Sequence, residues 1–183
     1  MVATQSQQPF DLLRELEQRS RSRAMGLPQQ VEVRRTWSGI GFSVGGLNLV
    51  SDLDEVDEIL DYPTMTRVPG AHNWVRGLAN IRGTLLPILD LSGLIDDRVS
   101  QPNRSTRVLV VHEGDLSAGL VVDEVVGMRH FFDEDFTREL PDASDSMRGF
   151  LKGAYRQGDN LWAVFSMQKL RESDQFVQVA SHS

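Results

Sequence analysis

The sequence predicts an all-β protein: a barrel or sandwich architecture, read as two small barrels around a shared seam. Three observations predict it. Roughly nine or ten short apolar runs recur at about 8–12-residue spacing with turn signals between them. Helical periodicity is confined to the joints and ends of the chain. Two turn-rich halves of similar length follow one another without a detectable internal repeat.

Composition narrows the function classes. A chain of 183 residues suits one domain plus tails, and 40% hydrophobic content is enough for a core. There is no cysteine, which excludes disulfides, thiolate chemistry and cysteine-type zinc sites and fits a reducing compartment. No apolar run approaches the ~18 residues of a spanning helix, and the N-terminus lacks a charged-then-apolar signal pattern. The expectation is a cytoplasmic protein with no direct membrane insertion. Residues 1–35 carry net +2 and residues 36–183 net −9. An acidic body without a basic, aromatic-interleaved stripe argues against nucleic acid as a partner.

Residues 1–34 read as an N-terminal extension with one helix. Pro9 and Asp11 suit a first turn, and Gly26 and Pro28 stop a helix over Phe10 to Met25. Leu12, Leu13 and Leu16 form its short apolar stripe, which fits either a solvated leader or a docking helix. Trp37 to Val44 reads as a strand ending at the turn Gly45-Gly46, and Leu47, Leu49 and Val50 begin the next. Gly39 and Gly41 form a GxG without the third glycine of a dinucleotide fingerprint, so no such cofactor is expected.

Asp52 to Asp61 holds six acids. Leu53, Val56, Ile59 and Leu60 fall at helical spacing, with Ser51 or Asp52 as cap. A turn leading into a strand from Val56 to Tyr62 fits as well, and periodicity does not decide over so few residues. The acids lack calcium-loop spacing and read as a solvated face, part of which meets a basic partner. Pro63 to Asn73 is loop-like. One helical turn over Ala71 to Arg76 would point Trp74 and Val75 inward.

Val75 to Leu91 is an apolar run broken by Arg76-Gly77 and Arg82-Gly83. Leu85, Leu86, Ile88, Leu89 and Leu91 read as strand core, and Pro87 suggests an edge strand or a bulge. Leu94 and Ile95 close a short helical turn before a polar linker. Strands follow over Val108–Val111, Leu116–Val122, Asp123–His130 (kinked at Gly127), Arg148–Arg156 and Leu161–Phe165. Ser166 caps a helix over Met167 to Arg171, and the tail to Ser183 is expected to fray.

Chemistry is sparse. His72, His112, His130 and His182 are scattered, none at ligand spacing, so no metal site is expected. No nucleophile elbow, phosphate loop or HExxH motif occurs. A binding module fits better than an enzyme.

The segment Trp37 to Arg171 resembles the CheW-like coupling proteins of bacterial chemotaxis. The pieces that carry this are FSVGG at 42–46, EVDEIL at 55–60, RVPGAHNWVRGLANIRGTLLPILDL at 67–91, RVLVV at 107–111, SAGLVVDEVVGM at 117–128 and FLKGAYRQGDNLWAVFSMQKL at 150–170. The N-terminal helix resembles the extension of PilI-type members, which serve type IV pilus twitching motility. The resemblance implies two five-stranded SH3-like barrels, a first mainly over 35–95 and a second mainly over 106–165, within a domain spanning 35–172 and followed by a tail over 173–183. It implies an adaptor without catalysis or cofactor. Such an adaptor bridges the cytoplasmic tip of a methyl-accepting chemoreceptor to the regulatory domain of a CheA-like histidine kinase, in membrane-associated arrays that hold other CheW-like proteins. Carried over by position, Arg82, Gly83, Val56 and Gly119 fall on the receptor side, and Leu53, Glu58, Ile59 and Arg76 on the kinase side. The chain departs from the pattern at Leu49 and Ser51, where an aromatic and an aliphatic residue are usual, and at Asp54, where an apolar one is common.

Overall fold

Eleven strands of two to nine residues carry the fold among the described residues. The computed structural model describes Arg14, residues 34–113 and residues 116–180. The chain divides into two units, Met1–Arg34 and Arg35–Ser183. In the first, Arg14 is helical and exposed, and the rest of the helix expected over Phe10 to Met25 lies outside the described residues. The second unit begins with β1 (Thr36–Val44), β2 (Leu47–Asp52), β3 (Glu58–Asp61), β4 (Val75–Ile81) and β5 (Thr84–Asp90), followed by helix α1 (Leu91–Asp96). It continues with β6 (Arg107–Glu113), β7 (Leu116–Val122), β8 (Glu124–Phe132), β9 (Phe136–Thr137) and α2 (Asp145–Gly149). β10 (Leu151–Gln157), β11 (Asn160–Phe165), α3 (Met167–Arg171) and α4 (Asp174–Ala180) complete it.

The strands form two sheets, in the orders β8-β1-β2-β11-β10-β9 and β3-β6-β7-β5-β4. Strand alternation explains how both are held. In β6, Val108 and Val110 enter a core with Ala79, Leu86, Ile88 and Val121, while Leu109 and Val111 enter a different one. In β11, Trp162 and Val164 pack with Val50, Phe131 and Tyr155, while Ala163 and Phe165 face that same second core. Each sheet therefore wraps its own small core, and the two share a larger one between them, the expected seam. Strands buried on both faces read as unbroken apolar runs, which is why RVLVV carries no polar alternation. In the six-stranded sheet's core, Trp37 stacks on Tyr155 at 5.2 Å. Burial pushes the Tyr155 phenol pKa above 10.0, and the Asp133 carboxylate adds to the rise.

The five-stranded sheet rolls on itself. Thr66, just past β3, donates from its N–H to the Leu78 carbonyl at 2.9 Å, and the Leu78 N–H donates back at 2.8 Å. This bridge joins the segment after one edge strand to the other edge strand, β4.

Several expectations are corrected. The sheets do not follow the chain halves: β1 and β2 pair with β8 and β11, and β6 and β7 pair with β3 and β5. The parallel pairings β2–β11 and β5–β7 make this exchange, and local periodicity carries no information about such distant partners. One sheet has six strands, since Phe136-Thr137 adds a short one to β10. Within Asp52 to Asp61 the turn-then-strand alternative holds: a 3-10 turn over Leu53–Glu55, capped by the Asp52 side chain, leads into β3. Ala71 to Arg76 forms turns and the start of β4, with Trp74 buried as expected. Pro87 lies in an interior strand, but β7 takes up its pairing only at Ile88, so proline sits on a stretch whose one partner is β4. Leu85, expected in the core, is 63% exposed. A helical turn, α2, precedes β10 where a strand was expected from Arg148. The tail folds back: α4 forms and Phe176 is fully buried in the shared core.

Candidate functional site

The β4–β5 hairpin turns on Arg82 and Gly83, both at positive φ (51° and 91°). Two-residue hairpin loops require this to match strand twist, and glycine or asparagine ordinarily supplies it. The Gly83 N–H donates to Asn80 Oδ1 at 2.8 Å and locks the turn. Arg82 stands against that preference, since a left-handed L-residue costs about 1 kcal/mol or more. Its side chain is 79% exposed and pairs with the Glu58 carboxylate at the start of β3. The pair spans the two edge strands on the rolled side of the sheet, so one residue expected on the receptor side touches one expected on the kinase side. Ile59 is 40% exposed beside Glu58, and Leu85 adds a second exposed aliphatic just after the turn. Sequence reasoning missed Leu85 because it reads as one more apolar residue in a strand.

Leu53 opens the 3-10 turn and Val56 follows it, both half-buried, and Val56 packs against the shared core. The turn is pinned by Glu55, which is an exception to the solvated acidic face at 13% side-chain exposure. Its carboxylate accepts from the Met167 N–H at 3.2 Å and the Gln168 N–H at 3.4 Å, and lies 3.6 Å from Lys152 Nζ. One acid of the run therefore ties the turn to α3.

Arg76 and Gly119 are placed differently from the rest. Arg76 is the extra residue of a β-bulge: Val75 pairs with Leu89 and Gly77 with Ile88, leaving Arg76 unopposed. Bulges re-aim side chains, and this one turns Arg76 to 18% exposure. Its Nη2 donates to the Ser100 carbonyl at 2.9 Å, and its Nε lies 3.7 Å from Asp90 Oδ2. Asp90 is fully buried and caps α1 through the Gly93 N–H. The signal was present: an aspartate between an apolar strand and a helix start is an N-cap pattern. Gly119 is buried in β7, where an added Cβ would lie 2.6 Å from Val108 Cγ1 and 2.7 Å from Ile88 Cδ1. It offers no surface in this conformation, and its place is inside the five-stranded sheet.

The described histidines are engaged singly. His112 Nδ1 lies 2.7 Å from Asp57 Oδ2, His130 Nδ1 lies 2.7 Å from Ser38 Oγ, and His72 stacks on Trp74. Among the described residues no cluster of three or more metal-ligating side chains occurs, and no helix is long and apolar enough to cross a membrane.

Comparison with known proteins bears on these features. Residues 38–175 match the family model described as a CheW-like domain. The chain is 44% identical to the protein PilI of Pseudomonas aeruginosa, covering 95% of this chain and 97% of that one. It is 25% identical to the chemotaxis protein CheW of Helicobacter pylori, covering 88% of this chain and 97% of the relative. The crystal structure of the scaffolding protein TtCheW from Thermoanaerobacter tengcongensis shares its fold, with a TM-score of 0.64 and 20% identity over 77% of this chain and 96% of that one. Two curled sheets around a shared core, joined through the sequence pieces from FSVGG to the final FSMQKL, place this chain in the CheW-like family, to which it belongs.

Proposed function

We propose that the chain is a non-catalytic coupling adaptor of a chemotaxis-like pathway, joining the cytoplasmic tip of a methyl-accepting chemoreceptor to the regulatory domain of a CheA-like histidine kinase. The observation that carries this reading is the CheW-like match, which runs through all eleven strands. The likeness to PilI along nearly the whole chain favours type IV pilus twitching as the output. The adaptor would be recruited to membrane-associated receptor arrays by its partners, alongside other CheW-like proteins.

Arg82 is the leading receptor contact. An arginine held at positive φ in a turn that would be better served by asparagine is kept for something other than the turn. Its pair with Glu58 is exposed and worth about 0.2–1 kcal/mol, so a partner carboxylate can replace it at little cost. Val56 and Gly83 support this contact, and Gly119 acts on it through packing. Leu53, Glu58 and Ile59 form the kinase-side patch, while Arg76 holds the loop behind it.

The test is binding of the purified chain to CheA-like kinase regulatory domains from the same genome, measured by calorimetry. Saturable binding to at least one is expected. Binding to none of them would sink the adaptor reading.

A further inference from the structure

A recess of about 240 Å³ opens where the start of β1, the end of β2 and strands β9 and β10 meet. Three aromatic rings wall it. Trp37 stacks on Tyr155 at 5.2 Å, and Phe136 meets Tyr155 edge-on at 5.3 Å. Two glycines make room for the outer rings. At Gly153 the φ is 151°, and an added Cβ would run into Phe136, 2.7 Å from Cε2. At Gly39, the first glycine of the GxG in β1, a Cβ would lie 2.8 Å from Trp37 Cη2. Phe136 is 43% exposed and Trp37 half-buried, so both rings are open at the recess.

Carboxylates surround these rings. Asp52 lines the recess and uses only Oδ1, which accepts from the Asp54 N–H at 3.3 Å; Oδ2 has no partner among the described residues. Glu55 lines it too, already engaged by two N–H groups and by Lys152. Asp133 is, after burial, the second cause of the raised Tyr155 phenol pKa, so a third acid acts on this wall. Lys152 is the one cation among the lining residues, turned there as the extra residue of a β-bulge: Leu151 pairs with Phe165 and Gly153 with Val164. Three acids against one lysine leave the recess short of positive charge. An aromatic face attracts a cation through its quadrupole. A planar guanidinium also stacks on rings and forks onto a carboxylate, which an ammonium does not match. We propose that this recess binds the guanidinium of an arginine side chain carried by a partner protein, held against the Phe136 and Trp37 rings with Asp52 as its counter-charge. The recess keeps this property whether or not the chain couples a receptor to a kinase.

The probe is N-acetyl-arginine amide, which carries the side chain without a free carboxylate or amine. It is titrated into the full chain at constant ionic strength, beside the citrulline analogue, similar in shape but uncharged, and the lysine analogue. Proton–nitrogen correlation NMR follows the Trp37 indole N–H, assigned by its loss in Trp37→Phe. The arginine probe is expected to shift that signal saturably and to bind about tenfold or more tighter than the citrulline analogue and about threefold or more tighter than the lysine one. Asp52→Asn keeps an acceptor for the turn and removes the charge, and should weaken the probe about fivefold or more. Phe136→Ala removes an exposed ring and should weaken it by a similar factor. Both variants are compared with the unaltered chain for melting temperature, and if one does not fold the other decides. An absent shift, equal binding of the citrulline or lysine analogue, or equal affinity in a folded variant overturns the proposal.

Discussion

Asp90 has no exposed side-chain surface, so its oxygens must find their partners inside the protein. Oδ1 accepts from the Gly93 N–H at 2.9 Å, and Oδ2 accepts from the Ser100 N–H at 2.9 Å and its hydroxyl at 2.6 Å. One carboxylate thus caps α1, anchors the loop after it and faces the Arg76 guanidinium. Asp90→Ala should lower the unfolding free energy by about 3–5 kcal/mol in urea titration, because it leaves a mostly buried guanidinium without its counter-charge. A loss below about 1 kcal/mol would show that water replaces the carboxylate freely. Gly119→Ala should cost about 1–3 kcal/mol by forcing a methyl group between Val108 and Ile88. Arg82 belongs to the opposite class. Arg82→Asn should melt at or slightly above the temperature of the unaltered chain, since asparagine tolerates positive φ, while receptor coupling is lost. A marked fall in melting temperature would make Arg82 a structural residue. Both arginines stand in Arg-Gly pairs, so sequence alone does not separate them; the bulge at one and the turn at the other do.

At the scale of elements, the helices act as fasteners between sheets. α3 is capped by Ser166, whose hydroxyl accepts from the Lys169 N–H at 3.3 Å, and its first turn receives the Glu55 carboxylate. α4 packs against α3 and β7 and drives Phe176 into the shared core. The local signals around Phe176 are a polar tail with three apolar residues, which is why fraying was expected. Only the open side of the shared core makes that phenylalanine a structural residue. Phe176→Ala should cost about 3–5 kcal/mol, read from the midpoint of chemical denaturation. A shift of under about 1 kcal/mol would mean that the helix detaches readily and that the core is complete without it.

For the whole molecule, residues from Trp37 onward build three cores from one another. A chain trimmed to residues 35–183 is therefore expected to fold and to melt within about 5 °C of the full chain, as followed by circular dichroism. A much larger drop would show that the first unit contributes to the stability of the second.

The sequence by itself determined the fold class, nearly every strand and the family, because strand alternation, glycine turns and the motif from RVPG to LPILDL are local properties of the chain. It also marked Arg76-Gly77 and Arg82-Gly83 as breaks in an apolar run, without showing that the second is a hairpin turn. Tertiary structure alone decided which strands share a sheet, that Gly119 is interior, that Glu55 and Asp90 are anchors, and that Leu85 is exposed. Those outcomes depend on contacts between residues far apart in sequence. A strand's own pattern shows that it has a buried face, but which distant strand covers that face depends on how both sheets pack around their shared core.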